Sequence, residues 1–227
     1  MSIHSKGLLA VAAGNVIFGF SFLFTRLALN ITIPSVLVAY RFVIAFAVMN
    51  LIVIAGRIIR NKDGGPLVSF SLKGKPLKNV LLLALFQPIL YFFCETYGIF
   101  YTSSAFSGTI IAIIPIMGIV FDKLLMGSNI RTKQVICAFA SVAGVIITTL
   151  GAKGMKSSLL GICFLAGAVA FGALFYVFSK KSAEYYSAIE RTYVMFGGGS
   201  LVFTAFALIQ CEGHYTDIML APLTNHM

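Results

Sequence analysis

The sequence predicts an all-α fold: a polytopic bundle of about seven transmembrane helices, built from a five-span repeat plus the start of an inverted second repeat. Three observations lead there. Hydrophobic residues make up 59% of the 227-residue chain and charged residues only 11%, which leaves too little polar surface for a soluble domain to cover its core. Seven apolar runs approach the roughly 20 residues that cross a bilayer as a helix. Finally, "AGNVIFGFSF" at 13–22 returns as "AGAVAFGALF" at 166–175.

The first run, 7–29, is too long for the apolar part of a signal peptide and has no small-residue cleavage site after it, so it reads as a span. The second, 34–56, starts at Pro34 after the break that begins at Asn30. The third, 79–101, follows the turn-forming "NKDGGP" at 61–66. The fourth, 103–126, comes after a short connection and stops at "MGSN", 126–129. The fifth, 134–151, runs into "GAKG" at 151–154, and the sixth and seventh cover 158–178 and 192–210. Gly, Pro, Asn and Asp at these breaks supply the backbone freedom that turns need. Pro88 and Pro115 fall inside the third and fourth spans, where each is expected to kink its helix.

The basic residues alternate by side. Lys6, then Arg57, Arg60, Lys62, Lys73, Lys75 and Lys78, then Lys123, Arg131 and Lys133, then Lys180, Lys181 and Arg191 all fall on one face of the membrane, against Arg26, Lys153 and Lys156 on the other. The positive-inside rule therefore puts the N-terminus in the cytoplasm and the tail, 211–227, outside. The same clustering beside spans accounts for the net charge of +10 and argues against a nucleic-acid partner. Cys94, Cys137 and Cys163 read as small hydrophobes within spans, and no CxxC pair or disulfide framework is present. No metal or cofactor is expected.

The repeat fixes the expected topology. Ala13, Gly14, Val16, Phe18, Gly19 and Phe22 recur as Ala166, Gly167, Val169, Phe171, Gly172 and Phe175. A first block of five spans (7–151) is odd, so a second block (158–210) starts from the opposite side and runs inverted. Inverted repeats are a common architecture of secondary transporters, with the substrate site between them. The second block holds two spans before a polar tail, so the chain is expected to be truncated by about three.

Only Arg41 and Glu95 lie deep in a span, where a charge costs about 2.5–3.5 kcal/mol even on mild insertion scales. At a rise of about 1.5 Å per residue, Arg41 lies about 10 Å and Glu95 about 9 Å below the same outer face. Opposite charges at matched depth on neighbouring spans predict a hydrogen-bonded ion pair. Gln87, Tyr91, Glu95 and Thr102 are spaced to stack on one helix face. Ser104, Ser107 and Gly108 of the fourth span and Asn15 and Thr25 of the first can face the same region. The candidate substrate or proton pathway is thus Glu95, Arg41, Tyr91, Asn15, Gln87 and Ser104. Interhelical hydrogen bonding that merely holds the bundle is the competing reading of the same polar groups. "GGGS" at 197–200 and "GAKGMKSS" at 151–158 lack the GK[ST] order of a phosphate loop; the first reads as close helix packing.

Taken in order, "GNVIFGFSFLFTRLAL", "PSVLVAYRF", "TYGIFYTSSAFSG" leading to Pro115, and "KQVICAFASVAGVII" make the chain resemble the EamA-like branch of the drug/metabolite transporter superfamily over nearly all of 7–210. It departs from that family's pattern at Ser128, where a Glu is usual, and at Cys137, where a Gly is frequent. The resemblance implies a secondary transporter, more often an exporter, that moves small organic metabolites such as amino acids across the cytoplasmic membrane by alternating access. Its partners would be the substrate and the bilayer, and a homodimer stays open. The alternative is a truncated protein that is inactive or partner-dependent. An intramembrane enzyme fits poorly, because His4, His214 and His226 all lie outside the spans and no second deep carboxylate accompanies Glu95.

Overall fold

The computed structural model describes residues 3–59, 70–150 and 158–211, and all regular structure among them is helical. The turns expected at 61–66 and 151–154, the tail beyond Cys211, and Arg60, Lys62, Lys153, Lys156, His214 and His226 lie outside the described residues.

Helix α1 spans Ile3–Ala28 and α2 spans Pro34–Ile58. Pro34 sits in the first turn of α2, where no amide hydrogen is needed and its fixed φ suits a helix. The third span is interrupted: a kink within Leu85–Leu90 separates α3 (Leu77–Ala84) from α4 (Tyr91–Tyr101). The break falls at Pro88, which has no amide hydrogen to give the helix, and Gln87 before it takes the extended values φ −144° and ψ 120°. The fourth span is also two helices, α5 (Ser104–Ile111) and α6 (Ile114–Met126), with Pro115 in the first turn of α6. Pro115 thus starts a helix after a break where a kink within one was expected. Gly127, at φ 65°, closes α6 in the left-handed conformation. Helices α7 (Thr132–Leu150), α8 (Leu159–Ser182) and α9 (Ala188–Gln210) complete the described chain. Ser158 caps α8, and Ser187 with Glu190 forms a reciprocal capping box on α9.

Five segments are long and apolar enough to cross a membrane: Pro34–Ile58, Leu77–Tyr101, Ser104–Met126, Leu159–Ser182 and Ala188–Gln210. The apolar stretch within α1 is Ala12–Ala28, and α7 has 19 residues. The chain is a multi-pass membrane protein.

Helix α2 lies along α9, and α8 packs on both α4 and α6; α1 rests on α4 and α5, and α7 on α5 and α6. One buried cluster joins Phe22, Tyr91, Cys94, Ile99, Leu165 and Ala168, and a second joins Val36, Ala39, Phe42, Phe203 and Ala207. The "GGGS" segment belongs to this packing: a Cβ on Gly199 would stand 2.7 Å from Pro88 Cγ and 2.8 Å from Phe42 Cδ1.

Polar ties fasten both ends of the bundle. At the Pro34 end, the Arg26 guanidinium donates to the carbonyls of Ile99 and Phe100, each at 3.0 Å, which satisfies acceptors that the last turn of α4 leaves open. At the opposite end, Lys75 Nζ donates to Glu190 Oε2 and Oε1 at 2.6 and 2.7 Å, and the amides of Ser71 and Ser187 donate to the same carboxylate at 2.9 Å each. Lys180 bridges Asp122 (3.1 Å) and the Ser128 hydroxyl (3.2 Å), which ties α8 to the end of α6.

Candidate functional site

Tyr91 and Glu95 are four residues apart on α4, one turn of a helix, so their side chains meet. Tyr91 Oη donates to Glu95 Oε1 at 3.1 Å. Arg41, reaching across from α2, places Nη1 4.0 Å from Glu95 Oε2. It donates from the same nitrogen to Thr25 Oγ1 at 3.3 Å and lies 4.9 Å from the centre of the Phe92 ring. The depth-matched charges therefore approach each other, but without the expected hydrogen bond, and they are buried unevenly. The Glu95 side chain is 1% exposed and that of Arg41 is 30%. Oε2 has no hydrogen bond of its own.

Two cavities flank this pair. The larger, about 840 Å³, lies between α1, the Gln87–Tyr91 stretch, α5 and α6, and α8. Asn15, Gln87, Tyr91 and Ser104 line it together with Phe18, Phe22, Phe175, Tyr176 and the glycines 19 and 172. No charged side chain lines it among the described residues. Gly172 lets α8 pack closely here, since a Cβ there would come 2.8 Å from Ile114 Cδ1 and 3.3 Å from the Tyr91 ring. The second cavity, about 630 Å³, opens between α1 and α2 and is lined by Arg41, Ser21, Thr25 and apolar side chains. A smaller space of about 360 Å³ adjoins the first, past Pro115 and Tyr176, and is bounded by Gln134 and Cys137 of α7.

The six candidate residues thus divide. Four line one cavity, Arg41 lines the other, and Glu95 is sealed behind the wall of the first, linked to it through the Tyr91 hydroxyl. The expected polar stripe is not one helix face. Gln87 leaves the helical conformation, and Thr102 lies just past the end of α4, where its hydroxyl donates to Gly98 O at 2.7 Å and pairs with Ser107 Oγ at 2.8 Å. Thr102 and Ser107 therefore hold the corner between α4 and α5. Sequence reasoning missed Gly172, Phe175 and Tyr176, because aromatic and small residues are common throughout membrane helices. The repeat held the signal: Gly19 corresponds to Gly172 and Phe22 to Phe175, and all four line the same cavity. Among the described residues no group of three His, Cys, Asp or Glu side chains is arranged to hold a metal ion.

The EamA-like transporter family model matches residues 5–150. "Uncharacterized transporter YcxC" of Bacillus subtilis (strain 168) is 31% identical over 209 residues, covering 91% of this chain and 64% of that protein. An "Uncharacterized transporter" of Archaeoglobus fulgidus is 21% identical over 187 residues, covering 82% of this chain and 62% of its own length. The chain thus spans less than two thirds of the curated relatives it matches. No solved structure matches it.

Proposed function

Because this chain belongs to the EamA-like transporter family, we propose that it is a secondary transporter that carries small organic metabolites across the cytoplasmic membrane by alternating access. The N-terminus lies in the cytoplasm, and export is the direction of net movement. The observation that carries the reading is the cavity of about 840 Å³ between α1, the Gln87–Tyr91 stretch, α5 and α6 of the first block and α8 of the second. Its size is within the range of small-molecule sites. It lies where inverted repeats would place a cargo, and the equivalent pairs Gly19/Gly172 and Phe22/Phe175 facing it from two sides support that arrangement. The packing of α2 along α9 supports it too, since these are the second spans of the two blocks.

Asn15, Gln87, Tyr91 and Ser104 contact the cargo. Glu95 is the coupling group, and the groups that face it are Tyr91 on its own helix and Arg41 on α2. It carries a proton while Tyr91 reports its state to the cavity wall. The test is flux in proteoliposomes loaded with an isotope-labelled metabolite extract. Loss of one or more labelled solutes, faster than from empty liposomes and dependent on a pH gradient, is expected. Absence of any such loss would refute transport. Glu95→Gln should remove the pH dependence; an unchanged profile would reject Glu95 as the carrier.

A further inference from the structure

We infer that the cargo of the larger cavity is an uncharged, flat and mostly apolar molecule with an amide- or hydroxyl-type hydrogen-bonding edge. This rests on reading that cavity as the cargo site, and it narrows the substrate class away from the zwitterionic amino acids that the family resemblance brings to mind.

The polar residues of the lining are Asn15, Gln87, Ser104, Tyr91 and Tyr176, all neutral. An amide side chain donates and accepts alike, so two of them match an amide or hydroxyl edge on a ligand without supplying a counter-charge. An ion moved from water into such a space loses hydration that nothing in the wall replaces. A zwitterion would need both a cation and an anion.

Among the described residues no charged side chain of the surrounding helices lines this cavity, and those nearest the site are engaged elsewhere. Glu95 on α4 is buried behind Tyr91, with Oε1 accepting from that hydroxyl and Oε2 facing Arg41. The exposed part of Arg41 on α2 opens into the separate cavity between α1 and α2. Arg26 on α1 is held by the Ile99 and Phe100 carbonyls. Asp122 on α6 and Lys180 on α8 hold each other. None of these lines the larger cavity. Its remaining walls are rich in aromatic rings, and Gly19 and Gly172 add no side-chain bulk. Rings of this kind favour a planar apolar partner, packed against them edge-on or offset.

Four solutes that share one ring and differ in charge test this at pH 7: indole-3-acetamide (neutral), tryptophan (zwitterion), tryptamine (cation) and indole-3-acetate (anion). The chain contains no tryptophan, so indole emission excited at the red edge reports the ligand alone. Binding to the full chain in nanodiscs, with empty nanodiscs subtracted, should be saturable for indole-3-acetamide. It should be at least about tenfold tighter than for any charged relative. Gln87→Leu and Asn15→Leu should each weaken it. Asn15→Asp should shift the preference to tryptamine, a gain that a misfolded protein cannot produce.

A charged solute that binds as tightly as the amide, with binding still lost in Gln87→Leu, would overturn the charge class and leave the cargo site standing. Saturable binding by none of the four, or binding indifferent to Gln87→Leu and Asn15→Leu, would overturn both. An unchanged preference in Asn15→Asp would overturn the inference as well.

Discussion

Arg41→Met should destabilise the bundle far more than Glu95→Gln, although the two substitutions break the same ion pair. The asymmetry follows from burial. Glu95 is 1% exposed and Arg41 30%. With Arg41 gone, the carboxylate keeps only the Tyr91 hydroxyl and stands uncompensated in an apolar interior. Removing one partner of a buried pair costs about 3–5 kcal/mol. Methionine retains the apolar stem that arginine packs against its neighbours, so the loss reports charge and not volume. Glutamine at 95 keeps the side-chain shape and an oxygen to accept from Tyr91. Arg41 then retains Thr25, the Phe92 ring and its opening into the cavity between α1 and α2. The lost contact is a 4.0 Å approach without a hydrogen bond, so this variant should stay within about 1 kcal/mol of the parent. The double variant should lie near Glu95→Gln alone, a coupling of about 3 kcal/mol between the two positions. Reversible unfolding in mixed detergent micelles, followed by helix content, measures all four proteins. If Glu95→Gln costs as much as Arg41→Met, or if the two losses simply add, the reasoning from burial is wrong.

Glu190→Ala removes a capping box and the Lys75 pair together, so it should cost about 3 kcal/mol in the same assay. Lys75→Met should cost less, because Glu190 keeps the amides of Ser71 and Ser187; equal losses would mean that the pair, not the cap, sets the stability. Gly199→Val drives a side chain into Pro88 and Phe42 and should lose about 1–3 kcal/mol through overpacking; an unaffected melting temperature would show that α9 can shift from α2 freely. Arg26→Ala frees two carbonyls at the end of α4 and should cost about 1–2 kcal/mol. Its signature is faster amide exchange confined to the last turn of α4, and a uniform change across the bundle would point to another role for Arg26.

How much of this was legible in advance depends on whether a feature is local. In hydrocarbon the backbone has no partner but its own helix, so an apolar run and its helix nearly coincide, and Pro34, Gly127 and Ser158 could be read as ends from their chemistry alone. The Arg41–Glu95 approach was legible too, because depth can be counted from a helix end at a fixed rise. Counting failed where the helix was not continuous. The spacing from Gln87 to Tyr91 to Glu95 describes one face only if Gln87 is helical, and at the Pro88 break it is not. A charge tally assigns a side but no partner: Arg26, tallied as one of the few positive charges on its side, is engaged on α4 carbonyls. The partners of Glu190 were out of reach for a third reason, since Lys75 and Ser71 lie more than a hundred residues away and nothing local marks them.

The repeat is the instructive case. As a string, six matches among small and aromatic residues carry modest weight, because membrane helices are rich in both. Its weight changes once the cavity is known. A chance similarity gives no reason for Gly19 and Gly172, or Phe22 and Phe175, to line the same cavity from α1 and α8. A site between two related halves would give a reason, because residues that shape it would recur at equivalent positions of each half. The two glycines nevertheless differ in their surroundings: a Cβ on Gly19 would meet nothing within 4 Å, whereas one on Gly172 would press on Ile114 and Tyr91. Gly172 leaves room for Tyr91 and Ile114, and Tyr91 is the residue through which the buried carboxylate meets the cavity. The short internal match and the anomalous Glu95 therefore describe one place in the molecule, seen first as a pattern and then as a charge.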